Sequence, residues 1–139
     1  MATPYQERKI RDPALNPGDQ PYFEGAAAGK LMLKKCRDCG QHHHYPRALC
    51  PHCFSDKVEW IEAKGTGEIY TYSVTRRGPP TPYCIAYVTL DEGVRMMTNI
   101  VETKQTPEAL QLDMPLEVVF ERMNDEISLP LFRPAGSGA

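Results

Sequence analysis

The chain has 139 residues and a mass of 15.7 kDa, a size that suits one or two small domains. Hydrophobic residues make up 41% of it and charged residues 24%, so disorder throughout is not expected. No apolar run approaches the roughly 20 residues needed to cross a bilayer. The polar N-terminal segment lacks the apolar core of a signal peptide. We expect a soluble, cytoplasmic protein with no membrane partner.

The charge differs between the two parts of the chain. Residues 1–57 carry nine Lys/Arg against six Asp/Glu, whereas residues 58–139 carry seven against twelve. Proteins that bind nucleic acids gain much of their affinity by neutralising phosphates with a basic face. Because the larger part is acidic, the composition argues against a nucleic-acid partner.

The first elements are an arm and a short helix. Residues 1–18 are polar and contain prolines without periodicity, which predicts a flexible arm. Asp19 is a candidate N-cap, Pro21 suits the first helical turn, and Gly29 suits the C-terminal cap. The apolar residues between them fall on one helical stripe: Tyr22, Phe23, Ala26 and Ala27. We expect this stripe to pack within the protein or on a partner, and the residues after Gly29 to enter a strand.

Four cysteines follow in two Cys-x-x-Cys pairs, Cys36/Cys39 and Cys50/Cys53, separated by ten residues. Two such pairs can present four thiolates to one ion in a closed tetrahedral site. Disulfides and a redox-active dithiol are the competing interpretations. Zn²⁺ in a structural role fits this ligand set best, and a single iron bound as in rubredoxin uses the same ligands. The sequence therefore predicts a metal site that folds this module and does no catalysis.

All four histidines, His42, His43, His44 and His52, lie in the same module. They could form a second metal site or supply a catalytic base. Because four cysteines already saturate one metal, we expect these histidines to be exposed at the tip of a zinc ribbon.

After residue 57 the pattern predicts β structure. Trp60 and Ile61 begin a segment that Gly65-Thr66-Gly67 interrupts, which indicates a bulge or bend in a curved strand. Further strands are predicted at 68–75, 84–90, 94–101, 115–123 and 127–132. Five short strands with a glycine-bent first strand predict a small closed barrel of the OB type.

Alternation predicts which side chains face the interior of this barrel. Tyr70, Tyr72 and Val74 are expected on one face of their strand. Cys84 shares its parity with the apolar Ala86, Val88 and Leu90, and no histidine lies in this part of the chain. A nucleophilic cysteine needs a thiolate and a nearby base, so Cys84 is expected to be a buried structural thiol.

The chain resembles the acyl-CoA-associated family that joins an N-terminal helix and rubredoxin-like zinc ribbon to a C-terminal OB-fold, once known only as a domain of unknown function. The matching motifs are YFEG at 22–25, GKL at 29–31, CRDCG at 36–40, YPR at 45–47, CPHC at 50–53, GTGEIYTYS at 65–73, LDEGVR at 90–95 and LPLFRP at 129–134. Combined with the patterns above, this predicts a mainly β protein. Its expected units are a helix and zinc ribbon at 19–57, a five-stranded OB-fold barrel at 58–134, and a tail at 135–139.

The resemblance implies an accessory subunit of a thiolase-type complex or of a MaoC-type hydratase. Such a subunit has no catalytic residues of its own, braces the catalytic partner, and helps to enclose the CoA part of an acyl-CoA thioester. CoA carries phosphates, so cations near a barrel mouth are candidate ligands. Arg76 and Arg77 are the first candidates, and Lys64 and Arg47 are weaker ones. A solvated pair at a strand end is the alternative for Arg76 and Arg77.

Two other function classes stay open. Zinc ribbons and OB-folds also occur in proteins that bind single-stranded nucleic acids, where Tyr70, Tyr72, Tyr83 and Tyr87 could stack on bases. A free-standing redox or metal-delivery protein is the other possibility.

Overall fold

A computed structural model describes residues 12–78 and 82–136, so the predicted arm lies largely outside the described residues. The fold is mainly β, with one α-helix, α1 (Gln20–Ala27), and a single 3₁₀ turn at Pro107–Ala109 in the described ranges. The strands are β1 Met32–Cys36, β2 His42–His43, β3 Val58–Glu62, β4 Thr66–Thr75, β5 Tyr83–Leu90, β6 Arg95–Asn99, β7 Pro115–Arg122 and β8 Ser128–Pro134. No helix in the described ranges is both long enough and apolar enough to span a membrane.

Helix α1 ends as predicted and begins differently. Gly29 has a φ of +78°, and the Lys30 N–H donates to the Gly25 carbonyl at 2.8 Å, which closes the C-terminus. The Asp19 side chain does not cap the helix, because its carboxylate accepts a hydrogen bond from the Asn16 N–H at 3.2 Å. Ala26 is buried and Ala27 is exposed, so the packed stripe is narrower than the sequence predicts.

The ribbon is a three-stranded antiparallel sheet in the order β2-β1-β3. Leu33 on β1 is fully buried and pairs with Ile61 on β3. Trp60 and Ile61 therefore extend the ribbon sheet and do not begin a barrel strand. Gly65, with a φ of +78°, lies in the link where the chain leaves this sheet for β4. A side chain there would collide with Val118, so the link requires glycine.

The second sheet has the order β6-β5-β4-β7-β8 and forms the predicted five-stranded, nearly closed barrel. Its two edge strands meet where Ile100, just after β6, pairs in parallel with Phe132 of β8. The Val101 N–H donates to the Phe132 carbonyl at 2.8 Å. Arg133 adds a second link across this seam, with its guanidinium 3.2 Å from Glu102, and it also pairs at 2.8 Å with Glu117 on the neighbouring β7. Ile100 and Phe132 are fully buried, so the seam is part of the core.

A β-bulge in β4 changes which side chains enter the barrel. The register of β4 against β5 shifts between Ile69 and Thr71. Ile69 is fully buried and Tyr72 is partly buried against the core, while Tyr70 is 52% exposed. The prediction that Tyr70 shares a face with Tyr72 and Val74 is therefore wrong for Tyr70, because the extra residue reverses the alternation at that point.

Strand β5 follows the predicted alternation. Cys84, Ala86, Val88 and Leu90 are each at most 2% exposed, whereas the intervening Ile85 and Tyr87 are exposed. Burial raises the pKa of the Cys84 thiol to about 11, so it stays protonated at neutral pH. Cys84 is therefore a thiol packed in the barrel core, as the alternation of β5 predicts.

Candidate functional site

The four cysteines of the two Cys-x-x-Cys pairs form one cluster, here called the sulfur cluster. Their sulfur atoms all lie within 4.8 Å of one another. The Cys36 Sγ to Cys53 Sγ and Cys39 Sγ to Cys50 Sγ distances are both 3.6 Å. A disulfide requires about 2.05 Å, and all five cysteines, each in the described part of the chain, are free thiols. The cluster therefore has the geometry of a metal site.

The two halves of the sulfur cluster repeat the same backbone pattern. The Cys36 N–H donates to the Gln41 carbonyl and the Gly40 N–H to the Cys36 carbonyl, at 3.0 and 2.9 Å. In the second half, the Cys50 N–H donates to the Ser55 carbonyl and the Phe54 N–H to the Cys50 carbonyl, both at 2.8 Å. Each half is thus a tight knuckle that places both of its sulfurs on one side.

Backbone amides support the negative charge that a thiolate cluster carries. The Cys39 N–H lies 3.5 Å from the Cys36 sulfur, and the His52 N–H lies 3.4 Å from the Cys50 sulfur. The hydrogen bond from Cys39 lowers the pKa of the Cys36 thiol to about 7. Tetrahedral coordination at about 2.3 Å from metal to sulfur requires sulfurs about 3.8 Å apart. The four cysteines fit that requirement, so they are positioned to bind a metal.

The histidines do not share one exposed surface, which corrects the sequence interpretation. His52 is exposed, but His43 on β2 is only 5% exposed, and neither of its ring nitrogens has a hydrogen-bond partner among the described residues. Burial, aided by the nearby Lys34 charge, lowers the pKa of His43. His44 is half-buried, with its ring 5.3 Å from that of Tyr22 and 4.3 Å from that of Tyr45. The His44 ring packs against Tyr22 of α1, a contact between segments that the local sequence does not show.

A cavity of about 430 Å³ lies where three parts of the molecule meet, and we call it the junction cavity. Helix α1 and the residue before it contribute Asp19, Tyr22 and Phe23. The ribbon contributes residues 44–46. The barrel contributes side chains of β5, β6 and β8, among them Tyr83, Ile85, Met96 and Met97. Its volume is in the range of small-molecule sites, roughly 300–1,000 Å³, and its walls are mainly apolar.

Two polar side chains in the cavity wall are kept neutral. Burial lowers the pKa of His44 to about 4, so its imidazole is uncharged at neutral pH. Burial, with smaller contributions from Tyr45 and Asp19, raises the pKa of the Tyr22 hydroxyl, which therefore keeps its proton. Neither group is among the buried side-chain atoms that lack a hydrogen-bond partner in residues 12–78 and 82–136. Neither residue is recognisable as a cavity residue from the sequence, because the cavity forms only from segments far apart in the chain.

The four cations predicted to contact CoA do not form one cluster. Lys64 precedes β4 and Arg76 follows it, so a strand of ten residues separates them, roughly 30 Å. The Lys64 backbone N–H donates to the Glu92 carboxylate at 2.9 Å. Arg76 and Arg77 are exposed and follow Thr75, whose partner on β5 is Tyr83 in the cavity wall. Arg47 follows Pro46, another cavity residue, so Arg47 is next to the cavity in the chain, whereas Arg76 and Arg77 are related to it through the pairing of Thr75 with Tyr83.

The four tyrosines considered for base stacking are divided between the inner and outer faces of the barrel sheet. The Tyr72 hydroxyl donates to the Leu110 carbonyl at 3.2 Å inside the barrel. Tyr83 lines the junction cavity, and Tyr87 is exposed on the outer surface. The Arg95 guanidinium covers the Tyr70 ring at 3.9 Å. Tyr83 and Tyr87 share the outward parity of β5, and Tyr70 is exposed on the neighbouring β4, so only Tyr72 of the four is turned into the barrel.

Two family models match adjacent parts of the chain. Residues 23–59 match "ChsH2, rubredoxin-like zinc ribbon domain", and residues 60–121 match "ChsH2, C-terminal OB-fold domain". Together they cover most of the chain, and they agree with the ribbon and the barrel that the structure shows.

The curated relatives are named either as subunits of CoA-dependent enzymes or as scaffold proteins. A probable enoyl-CoA hydratase alpha subunit of Thermomonospora curvata is 36% identical over 88% of this chain, which spans only 39% of that protein. A DUF35 domain-containing scaffold protein of Methanocaldococcus jannaschii is 36% identical over 69% of this chain and 71% of its own length. A benzoylsuccinyl-CoA thiolase subunit, BbsA, of Geobacter metallireducens is 29% identical over 82% of this chain and 73% of its own length.

A solved structure has the same architecture. The chain matches a subunit of an "Ltp2-ChsH2(DUF35) aldolase" with a TM-score of 0.78 and 37% identity. The match covers 89% of this chain and 99% of that chain. Ribbon, barrel and sulfur cluster thus agree with the sequence matches, and the chain belongs to the ChsH2 (DUF35) family of zinc-ribbon and OB-fold scaffold-type proteins.

Proposed function

We propose that this chain is a non-catalytic, zinc-containing accessory subunit that binds a thiolase-type catalytic subunit acting on β-ketoacyl-CoA and forms part of its CoA-binding site. The observation that carries the proposal is the likeness of both ribbon and barrel to subunits of enzymes named as a thiolase, a hydratase and an aldolase. A scaffold protein is among the relatives as well. The partner supplies the reacting groups, and this chain supplies contact surface and binding contacts.

The metal in this proposal has a structural role. Cys36, Cys39, Cys50 and Cys53 provide four sulfurs, which complete a tetrahedral zinc site and leave no open position for substrate. Zinc bound there would stabilise the ribbon, since metal-binding energy becomes folding energy in small ribbons. The ribbon in turn supplies residues 44–46 to the junction cavity, so the metal would help to hold one wall of that cavity.

The CoA contacts are assigned to the mouth of the junction cavity. Arg47 follows the lining residue Pro46, and Arg76 and Arg77 follow Thr75, the strand partner of the lining residue Tyr83. Guanidinium groups bind phosphates with paired hydrogen bonds. Lys64 is the weakest candidate, because β4 separates it from Arg76 and Arg77. In a complex with the catalytic subunit, Arg76→Ala/Arg77→Ala should raise the KM for CoA several-fold. Lys104→Ala, which removes an exposed cation after β6, is the matched control and should leave the KM unchanged.

Two groups of exposed apolar side chains support a protein partner. One is at the ribbon tip, where Leu49 is 50% and Phe54 78% exposed. The other is on the outer face of the barrel beside the junction cavity, where Tyr87 pairs with the cavity residue Met97 across β5 and β6 and both are about half exposed. Apolar patches of this kind mark interaction surfaces in soluble proteins.

A MaoC-type enoyl-CoA hydratase is the second candidate partner. It is favoured by the higher identity to the hydratase subunit, 36% against 29% for the thiolase subunit. The same scaffold role would apply, with a hydratase in place of the thiolase.

The test is to capture the native partner with the affinity-tagged chain and to identify it by mass spectrometry. The captured complex is then assayed with acetoacetyl-CoA for thiolysis and with crotonyl-CoA for hydration. We expect one of these activities in the complex and neither in the chain alone. Thioester turnover by the chain alone, or capture without any CoA-dependent enzyme, would contradict the proposal.

A further inference from the structure

The barrel leaves one strand edge open beside the junction cavity. Strands β6 and β8 are the two edges of the barrel sheet, and within the described ranges their pairing is confined to Ile100 and Phe132. Before that point in each strand, residues 96–99 and residues 129–131 line the cavity. The cavity therefore lies against both edges at the place where they are no longer paired with each other.

The hydrogen-bond pattern of β6 identifies the backbone groups that face this open side. Successive residues of an antiparallel strand alternately bond to the neighbouring strand and point away from it. The Leu90 N–H donates to the Val94 carbonyl at 2.8 Å, and the pairing of β5 with β6 continues from there without a shift. The even-numbered residues of β6 therefore bond to β5, whereas Arg95 and Met97 point their N–H and C=O groups to the open side.

Strand β8 does not pair with these groups, and Pro130 gives the reason. The Val101 N–H donates to the Phe132 carbonyl at 2.8 Å, so Pro130, two residues earlier, faces the same side. Proline has no N–H and cannot donate to β6. Among the described residues, Met97 thus has no strand partner on its open side. An unpaired edge of this kind is a template for a further strand.

We propose that an extended segment of the catalytic subunit, from a tail or a loop, adds as a strand to this open edge of β6 in the junction cavity. The inference rests on the proposed function, which requires a catalytic subunit, and adds the surface and the kind of segment that bind. The N–H and C=O of Met97 bond to the backbone of the segment, as in other complexes formed by strand addition. Alternate side chains of the segment contact the apolar wall that includes Phe23 and Ile85.

The charges around the edge define the segment further. The exposed Arg95 lies over the Tyr70 ring at 3.9 Å and has no carboxylate partner in the described part of the chain. An acidic residue of the segment would complement this cation. Asp19 lines the cavity itself and disfavours a second carboxylate inside it. The expected segment is therefore extended and apolar, with an acidic residue at the end next to Arg95.

The walls of the site favour a single extended segment over a second copy of this chain. Helix α1, residues 44–46 and β8 surround the edge of β6. In a second copy the same elements surround its own β6, so two such edges cannot approach to the roughly 4.8 Å that strand pairing requires. The first eleven residues of this chain are another candidate, but their three cations against one acid bring like charge to Arg95.

The first test is amide hydrogen exchange of the metal-loaded chain, read residue by residue, alone and in the complex with the captured catalytic subunit. In the chain alone, the Met97 amide should exchange fast because it faces the open edge, and the Thr98 amide slowly because it bonds to β5. In the complex, exchange at Met97 should slow by about tenfold or more. An unprotected Met97 in an active complex would overturn the assignment and leave the accessory role standing.

Substitutions at one position separate backbone pairing from side-chain contact. Met97→Pro removes an N–H that faces outward, so β6 keeps its bonds to β5, and capture of the catalytic subunit should weaken about tenfold. Met97→Ala keeps the N–H and should weaken capture less. Urea denaturation checks that each variant is folded.

Glu62→Pro is the matched control at another strand edge. The Ala63 N–H donates to the Leu31 carbonyl, so Glu62 points its own N–H to the open side of β3. The variant therefore removes an outward N–H from the ribbon sheet, away from the junction cavity. Capture of the catalytic subunit should stay at the native level.

Three further results would overturn the proposal. One is native-level capture by folded Met97→Pro. Another is a Met97 amide that is protected in the chain alone and released by deletion of residues 2–11, which would assign the edge to the chain's own N-terminus. The third is a dimer of this chain that Met97→Pro dissociates, which would assign the edge to a second copy. Failure of the native chain to capture any CoA-dependent enzyme would contradict the accessory role itself, and this inference with it.

Discussion

The ribbon tip and the barrel differ in how many apolar side chains they bury, and therefore in what stabilises them. Among residues 37–57, all of which the structure describes, only His43 and Cys50 are buried. The barrel buries apolar side chains from all five of its strands, including the fully buried Ile69, Val88 and Phe132. Burial of that kind contributes about 1.5–3 kcal/mol per large side chain. The barrel and the base of the ribbon, including Leu31 and Leu33, therefore share one apolar core, while the ribbon tip requires another source of stabilisation.

The sulfur cluster is that source in the proposed account. The ribbon that the cluster would hold together supplies one wall of the junction cavity and an exposed apolar tip. Loss of the metal should therefore disturb the ribbon tip and the cavity wall that it supplies, while the barrel core should stay folded.

The largest effect is expected from the metal ligands. Cys36→Ser should abolish stoichiometric metal binding and unfold the ribbon tip, since classical structural zinc sites contribute folding energy directly. Metal content by atomic emission and amide hydrogen exchange in residues 37–57 are the measurements. One equivalent of zinc is expected in the native chain, whereas one equivalent of iron would identify a rubredoxin-type centre.

Cys84→Ser is the matched control, because Cys84 is equally buried but lies in the barrel. It should lower barrel stability and leave the metal content at one equivalent. If residues 37–57 of Cys36→Ser stay protected from amide hydrogen exchange, the ribbon tip does not depend on the metal, and the contrast with the barrel is wrong.

The next effect concerns the barrel core. Phe132→Ala deletes a fully buried ring at the seam between β6 and β8. It should lower the free energy of unfolding by about 3–5 kcal/mol, measured by urea denaturation of the metal-loaded chain. Zinc stoichiometry should stay unchanged. Simultaneous loss of zinc would show that ribbon and barrel fold as one unit.

A smaller effect concerns pH, at the contact between the ribbon and α1. The pKa of His44 is about 4 in the folded state, below the unfolded value of about 6.5. Between these values the unfolded chain binds more protons, so stability rises with pH and falls on acidification. From pH 7.5 to 5.5, His44 should account for a loss of about 1 kcal/mol.

His44→Phe provides the comparison, since the acid-induced loss in urea denaturation should be smaller by that amount. His43 and the cysteines respond in both proteins and cancel in the difference. Identical pH profiles for native and variant chains would mean that the His44 ring is solvated in the folded state.

The smallest effect distinguishes the two knuckles. Gly40 and Phe54 occupy equivalent positions and both have positive φ, +77° and +65°. Glycine adopts this conformation without strain, whereas a phenylalanine does not. Phe54→Gly should therefore raise stability by about 0.5–1 kcal/mol in thermal unfolding, and Gly40→Ala should lower it.

The same variant tests a role for the exposed ring. If Phe54 is kept at a strained position because it contacts the partner, Phe54→Gly should weaken capture of the catalytic subunit while stabilising the chain. Unchanged capture would place the interface elsewhere, with the outer face of the barrel as the next candidate.

Local spacing in the sequence was sufficient for some features of the fold. The Cys-x-x-Cys pairs predict the sulfur cluster because each pair is confined to one turn. The parity of Cys84 with Ala86 predicts its burial because β5 alternates without a bulge between these residues. The bulge after Ile69 could not be predicted from alternation, and it reverses the direction of Tyr70.

The candidate site depended on contacts that are distant in sequence. Tyr22 and His44 come together only because α1 packs beside the ribbon and the barrel. No periodicity relates them, although both lie in aromatic-rich segments. The phosphates of CoA suggest which cations could bind it, so these arginines could be proposed from the sequence. Their separation from Lys64 depends on the length of β4, which only the structure shows.

The central claim is that this chain assists chemistry that another subunit performs. The direct measurement is the steady-state turnover of acetoacetyl-CoA or crotonyl-CoA by the catalytic subunit alone, by this chain alone, and by the stoichiometric mixture. The account predicts no turnover by this chain and a higher kcat/KM in the mixture than in the catalytic subunit alone. Turnover by this chain alone, or equal kcat/KM with and without it, would contradict the account.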